Sequence, residues 1–469
     1  MAKKPNLLFF GIDSLCADHM SLYGYERLTT PNITKYAEQG VAFSKCYSPS
    51  IPTTSGYSCM LTGMDCFGTD VVALRHKSHN GAIVPGVKTL AEVLGENGYS
   101  TTCIGFGGNP ASRGFQKYIE YSGWGSWSDG RSLKAEKLNE VAIPELTRLA
   151  SEEQPFFLFM RHMDPHSPYL PPAPFERMFY GKNEFDENNK SLEAVYKFKP
   201  FCDYFYSWFP PGCTDADYII AQYDAEIAYM DACIQNVLST LEALKIEDET
   251  LVVFTSDHGE TLNDHDCYFD HHGLYDCTLH VPFVLRYKGK IPEGKQLNDF
   301  CQLQDVMPTI LDILNIKTDI NFYGRDLIPL INGKSIEQKP EFYITECTWE
   351  RKHGWRTPQW KLIVALEPDF HYKPTIELYN LIQDPGENNN VANENPEVVE
   401  MLTKRMEKHI AARESVTKRK NPMITNENWY AEGVSPFKTS DDAYNTMHIG
   451  NAESAKKLQA ALAEKKNKE

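Results

Sequence analysis

No run of apolar residues approaches the roughly 18 that a membrane-crossing helix needs, and the chain has no low-complexity tract and no internal repeat. Positive charge is scarce. Lys and Arg number 47 against 64 Asp and Glu, a formal net charge of −17, which argues against a broad phosphate-tracking surface for nucleic acid and leaves room for a small anionic ligand. The twelve cysteines include no CxxC pair and no regular spacing, so reduced thiols are expected instead of a disulfide framework. Met1-Ala2-Lys3-Lys4-Pro5 leads straight into an apolar run too brief for a secretory signal. Together these absences predict a soluble, cytoplasmic protein with neither a membrane nor a nucleic-acid partner.

What is present is a globular composition: 469 residues, 42% hydrophobic, enough to bury a large core in one main body with a smaller appendage. Short β-rich apolar runs at residues 7–12, 101–105, 156–160, 251–255 and 283–287 alternate with helical patterns. That alternation predicts an α/β fold with a large, doubly wound, mostly parallel sheet. The clearest helix carries Ile220, Tyr223, Ile227, Met230, Ile234, Val237, Leu241 and Leu244 at 3/4 spacing, one continuous buried stripe. After about residue 338 the pattern changes to short strands and one helix from Pro396 to about Ala412, a small antiparallel subdomain. The expected organisation is a catalytic domain over 1–338, a C-terminal α+β subdomain over 339–415, and a tail over 416–469. The tail, with a helix former over 452–466, is either a plain surface extension or an arm that makes the protein a homo-oligomer. The Pro- and aromatic-rich stretch 171–218 is an ordered insertion and the best candidate for a substrate-selecting wall.

The chemistry is expected at strand ends. Asp13 follows the run Leu7 to Ile12, and Asp257-His258 follow Leu251 to Ser256, so two carboxylates and an imidazole emerge where apolar strands terminate. Parallel strands open on a common carboxyl edge, where ligands bind. Asp13, Asp257 and His258 could there hold one divalent ion: Zn, Mn, Ca or Mg.

Four blocks occur in one order along the chain: Pro5 to Tyr25, Asp164-Pro165-His166-Ser167-Pro168-Tyr169, Thr255-Ser256-Asp257-His258-Gly259-Glu260, and Glu377 to Glu387 with its Leu378-Tyr379-Asn380-Leu381 core. Together they resemble the sulfatase family of the alkaline phosphatase superfamily. The resemblance implies an alkaline phosphatase-like α/β body with a small antiparallel subdomain, and a metal bound by Asp13, Asp257 and His258. Ser14 stands where many members carry a second Asp. The nucleophile position, about eight residues before Leu61-Thr62-Gly63, falls on Thr53, which would also touch the metal, with Thr54 as the fallback. True sulfatases carry Cys-x-Pro-x-Arg or its Ser form at this point, oxidised to formylglycine; here it reads Thr53-Thr54-Ser55-Gly56-Tyr57. The resemblance further implies His166 and His272 as contacts of the transferred group or proton donors, and puts Asn109 and Tyr57 at substrate-binding positions; His265 and His271 share the neighbourhood and are either substrate contacts or loop hydrogen-bonders. Asn109 and Tyr57 replace a family Lys and Arg.

An unmodified threonine cannot expel sulfate by collapsing to an aldehyde, so its adduct must be resolved by a second attack on the transferred group. This points to a metal-dependent hydrolase that cleaves a phosphodiester, phosphonate ester or phosphoglycerol-type group of a small anionic substrate through Thr53. The pocket's lost cations favour a monoanion in the same way. The alternatives are a sulfuric ester hydrolase working without formylglycine, and a non-catalytic ligand-binding relative. One metal is expected; a second, from Asp164, His166 and His265, is the alternative.

Overall fold

The computed structural model describes residues 4–73, 82–123, 130–431 and 433–449. Its larger sheet has nine strands: β1 (Asn6–Ile12), β2 (Val41–Tyr47), β4 (Ser100–Ile104), β5 (Lys117–Ile119), β6 (Phe156–His162), β7 (Thr250–Ser256), β8 (His280–Arg286), β9 (Lys295–Leu297) and β10 (Cys301–Gln302). Their order is β10-β2-β8-β7-β1-β6-β4-β5, with β9 paired to β2. Pairing is parallel throughout except where β8 runs against β2 and β7. The expected α/β, mostly parallel sheet is therefore observed.

Both faces of this sheet are covered, as strands apolar at every position require. Along β1, Leu8, Phe10 and Ile12 enter one core, shared with Tyr223, Ile227, Met230 and Ile234 of the helix Ala216–Ala243. Leu7 and Phe9 enter the opposite core with Met60 and Leu61 of the helix Thr53–Thr62. Each fully buried ring or aliphatic chain contributes about 1.5–3 kcal/mol relative to exposure. Centre strands β1, β6 and β7 are thus held rigidly from above and below.

The second sheet consists of β3 (Ser50–Ile51), β11 (Phe342–Glu346), β12 (Lys352–Arg356), β13 (Trp360–Ala365) and β14 (Ile376–Asn380), in the order β14-β13-β12-β11-β3. Strands β11 to β14 are antiparallel, whereas β3 joins in parallel, Ser50 opposite Thr345 and Glu346 opposite Ile51. Since β3 immediately precedes the helix Thr53–Thr62, the small sheet braces the start of that helix. The helix Pro396–Thr417 packs on β12 and β13.

The described residues 418–431 and 433–449 fold back over the same chain instead of running free. Asn421 donates to the Tyr343 hydroxyl (2.9 Å), and the Ile449 amide donates to the Pro200 carbonyl (2.8 Å). The helix expected over 452–466 lies outside the described residues. All twelve cysteines are free thiols, and among the described residues no helix is long and apolar enough to cross a membrane.

Candidate active site

Register sets the site. Ile12 lies opposite Ser256 on one side and His162 on the other, so Asp13 and Asp257 leave the sheet as neighbours at its carboxyl edge. Asp13, Asp257 and His258 each bring a ligand atom within 4.8 Å of the others, and all three are buried. Nδ1 of His258 sits 2.8 Å from the Gly259 carbonyl, an arrangement that puts the proton on Nδ1 and leaves Nε2 as a lone pair. Burial, and after it the neighbouring His271, lowers the His258 pKa to about 3, so the ring is neutral. That lone pair faces Asp257 Oδ2 at 3.5 Å, and Oδ2 has no hydrogen-bond partner among the described residues. Two buried acceptors turned toward each other fit a bound cation.

Arg161, the penultimate residue of strand β6, ion-pairs with Asp13 through Nε (2.8 Å to Oδ2) and Nη2. Burial pushes the Asp13 carboxyl up, but the charge and hydrogen bonding of Arg161 outweigh it and hold the group well below the usual carboxylate range. Asp257 goes the other way, raised by burial and then by Asp13 beside it. Ser14 donates from Oγ to Asp13 Oδ1 at 3.1 Å, so this residue orients the carboxylate it follows.

Thr53 opens the helix Thr53–Thr62 and lies 4% exposed, its hydroxyl 3.1 Å from Nε2 of His258. A ten-residue helix beginning there presents unpaired amides and the positive end of its dipole to an anion. Gly56 allows the approach: a Cβ there would stand 2.6 Å from the Asp257 carbonyl oxygen, so any side chain would push the helix off the metal-ligand pair.

A cavity of about 550 Å³ opens over Thr53, lined also by Asn109, Arg161, His166, Ser167, Tyr204, Trp208, Asp270, His271 and Trp349. A cavity of similar size, about 580 Å³, lies elsewhere between Val87, Val93 and Ile320 without such a cluster. Two histidines in the active cavity carry different charge. His166 points Nδ1 at the Ser167 carbonyl (2.7 Å), and burial lowers its pKa to about 4, leaving a neutral ring. Burial also acts against charge on His271, but Asp270 at 2.9 Å and Glu260 at 3.6 Å overcome it and raise its pKa well above normal. The two rings are 5.2 Å apart. Opposed protonation states side by side suit a base and an acid.

The His166 loop is anchored from below by Lys134, 1% exposed, which reaches Asp164 (3.1 Å) and Glu226 (2.9 Å) and donates to the carbonyls of His166 and Pro168. Among the described residues, the groups whose ligand atoms converge do not include Asp164, His166 or His265. The alternative second metal set of Asp164, His166 and His265 is not assembled.

The structure sorts the remaining expected residues. Asn109 lines the cavity and donates to Thr54 Oγ1 at 3.2 Å. Tyr57 does not reach the cavity: its uncharged ring buries between Phe106 and Phe159. His265 stacks on Tyr275, 3.7 Å between centroids, away from Thr53. His272, expected to contact the transferred group, turns the other way and meets His371, Nε2 to Nε2, at 2.9 Å. Its neighbour His271 takes the place in the cavity, beside Asp270 at 2.9 Å. From the aromatic insertion only Tyr204, Ser207 and Trp208 line the cavity; Phe201, Phe205 and Phe209 pack inward as core. Arg161, Asp270 and Trp349 line it without belonging to any quoted block. An arginine at the end of an apolar strand run was the one available signal among them.

Comparisons with known proteins follow the same outline. The family model described as Sulfatase matches residues 5–316, and that described as N-sulphoglucosamine sulphohydrolase, C-terminal, matches residues 264–414. An N-acetylgalactosamine-6-O-sulfatase of Bacteroides thetaiotaomicron is 23% identical over 87% of this chain and 93% of its own. Arylsulfatase K of Rattus norvegicus is 25% identical over 87% of this chain and 78% of its own. Among solved structures, the phosphonate monoester hydrolase of Agrobacterium radiobacter superposes with a TM-score of 0.70 at 20% identity, covering 87% of this chain and 96% of that one. A protein solved with its substrate D-glucosamine-2-N,6-O-disulfate superposes with a TM-score of 0.71 at 20% identity, covering 90% of this chain and 99% of that one. At such identity the structural likenesses establish the fold.

These relatives overturn the phosphodiester, phosphonate or phosphoglycerol expectation: those matched along most of their length by sequence are named sulfatases. The physical reason for the error is visible. Charge matching never separated the two classes, because a sulfate monoester is itself a monoanion. Nor is the cavity short of cations, since Arg161 and a charged His271 occupy it.

Proposed function

The chain belongs to the sulfatase family, and we infer from this premise that its cavity hydrolyses a sulfate monoester carried by a sugar, without formylglycine. One observation carries the reading: a buried hydroxyl at a helix N-terminus, Thr53, adjoins the Asp13, Asp257 and His258 cluster inside one cavity. Asp13, Asp257 and His258 would hold the divalent ion. That ion, when bound, supplies Lewis-acid charge to a sulfuryl oxygen and lowers the pKa of a nearby hydroxyl.

The chain's own residues supply the rest. Thr53 Oγ attacks sulfur, and its proton passes to the neutral ring of His166 on the same cavity wall. As the bond from sulfur to the ester oxygen breaks, His271 gives its proton to the departing alkoxide, and the free alcohol leaves. Water then attacks the sulfur of the threonine sulfate; His271, now neutral, takes the water proton, and His166 returns a proton to Thr53 Oγ. The net change is addition of one water across the ester to give alcohol and hydrogen sulfate. Arg161 and the helix N-terminus neutralise the sulfuryl oxygens throughout.

A sugar suits the walls, because the lining includes the aromatic residues Trp208, Trp349 and Tyr204, the side-chain type that packs against a sugar ring. The relatives named N-acetylgalactosamine-6-O-sulfatase and N-acetylglucosamine-6-O-sulfatase support an N-acetylhexosamine sulfate as the first candidate. The test is a panel of sulfated N-acetylhexosamines and nitrophenyl sulfate, beside phosphodiesters and phosphonates, with several divalent metals added. Release of inorganic sulfate from the sulfated sugars is expected at rates above those for any phosphorus ester. Turnover confined to phosphorus esters would refute the reading.

A further inference from the structure

We propose that Cys267, His272, Glu350 and His371 form a second metal site that holds one zinc ion and locks the segment carrying His271. The four residues come from three separate stretches of chain: the 264–275 loop, the turn between β11 and β12, and the loop between β13 and β14. Each offers a ligand atom, and all four atoms lie within 4.8 Å of one another. Every member is buried, from 0% exposed at His272 to 9% at His371.

Hydrogen bonding leaves these groups short of partners. Nε2 of His272 and Nε2 of His371 face each other at 2.9 Å, where a pair of imidazoles can share at most one proton. The other ring nitrogens, His272 Nδ1 and His371 Nδ1, and Glu350 Oε1 have no hydrogen-bond partner among the described residues. Leaving such atoms buried and unpaired is costly, whereas a metal gives lone pairs a common partner.

Charge points the same way from an independent set of contacts. Lys352 sits among Glu350 at 2.5 Å, Asp369 at 2.9 Å and Glu377 at 3.7 Å, all buried. Three carboxylates around a single ammonium leave an excess of buried negative charge beside the histidine pair. A divalent cation offsets it. The donor set of one sulfur, two imidazoles and one carboxylate oxygen is the kind zinc takes in four-coordinate sites, while magnesium and calcium prefer oxygen ligands throughout.

The location explains what the ion would do. Cys267 and His272 bracket Asp270 and His271, both of which line the active cavity, and Glu350 follows Trp349, which lines it too. Phe198 and Phe201 of the aromatic insertion cover the ligand rings, stacked on His371 (4.8 Å) and packed on His272 (5.3 Å). One ion would thus tie the acid-bearing loop, the small sheet and the insertion together. This makes His272 a positioning residue and accounts for its turning away from Thr53.

The test uses the full chain loaded with zinc, dialysed against metal-free buffer and counted by elemental analysis. Asp257→Asn/His258→Ala should retain one zinc per chain, and Cys267→Ser/His371→Ala should hold one fewer than the unaltered protein. Replacement by cobalt(II) in the unaltered protein gives a readout independent of variant folding. A thiolate-to-cobalt charge-transfer band in the near ultraviolet is expected, because Cys267 is the only sulfur in either described cluster. Absence of that band in the unaltered protein, or full zinc content in Cys267→Ser/His371→Ala, would overturn the proposal.

Discussion

Lys134→Met lowers the stability of the fold by about 3–5 kcal/mol, the usual effect of removing one partner from a buried ion pair. The methionine keeps the length and most of the volume but leaves Asp164 and Glu226 facing each other with no cation, at a position 1% exposed. Part of the repulsion is already relieved by protonation. Burial raises the Glu226 pKa to about 8, with Asp164 adding to the rise against the pull of Lys134, so one proton and one ammonium currently serve two carboxyls. Loss of the ammonium also frees the carbonyls of His166 and Pro168, and with them the geometry of the His166 ring. Urea denaturation of the two proteins measures the difference. A change below about 1 kcal/mol, in the range of exposed pairs, would mean that the triad does not anchor this loop.

His271→Ala reduces kcat on a sugar sulfate by about 10²–10⁴-fold, the ordinary contribution of a positioned general acid. The loss should nearly vanish in the first nitrophenolate released per enzyme molecule from nitrophenyl sulfate, because a nitrophenolate leaves without needing a proton whereas a sugar alkoxide does not; later turnovers still need His271 to take the water proton. The contrast separates an acid from a structural residue, since a collapsed cavity would slow both substrates alike. His271 is suited to the task by its ion pairs with Asp270 and Glu260; His166, 5.2 Å away ring to ring and neutral, is not. Equal losses in that first release of leaving group from the two substrates would remove His271 from the acid role.

The sheet edge was legible because β1 and β7 are unbroken apolar runs that stop at Asp13 and Asp257, and a strand buried on both faces writes itself plainly in sequence. Strand β12 was not. Lys352-His353-Gly354-Trp355-Arg356 has no alternation, yet every residue is buried, because Lys352 is matched by Glu350 and Asp369 and Arg356 by Asp276. Burial satisfied by ion pairs with distant segments leaves no local period to read. The same limit explains the choice between His271 and His272, adjacent residues whose sides of the loop are decided by Asp270 and by His371 about a hundred positions on. Thr53 could be located only through its place ahead of Leu61-Thr62-Gly63, and Trp349 and Glu350 not at all, since they enter through the small sheet.

Arg161 shows how one unread residue changes a chemical inference. Two cationic positions are missing from the helix and the Asn109 loop, but a guanidinium reaches the cavity from β6 and pairs with Asp13. The cavity therefore keeps positive charge by another route.

The most direct measurement is the rate at which inorganic sulfate appears from an N-acetylhexosamine sulfate, compared between the unaltered protein and Asp257→Asn. Both proteins are first shown to unfold at the same denaturant concentration. Steady sulfate release by the unaltered protein and its near-complete loss in the variant are the predicted results. Equal release by the two, or none from the unaltered protein with any divalent metal, would contradict the assignment of sulfate ester hydrolysis to this site.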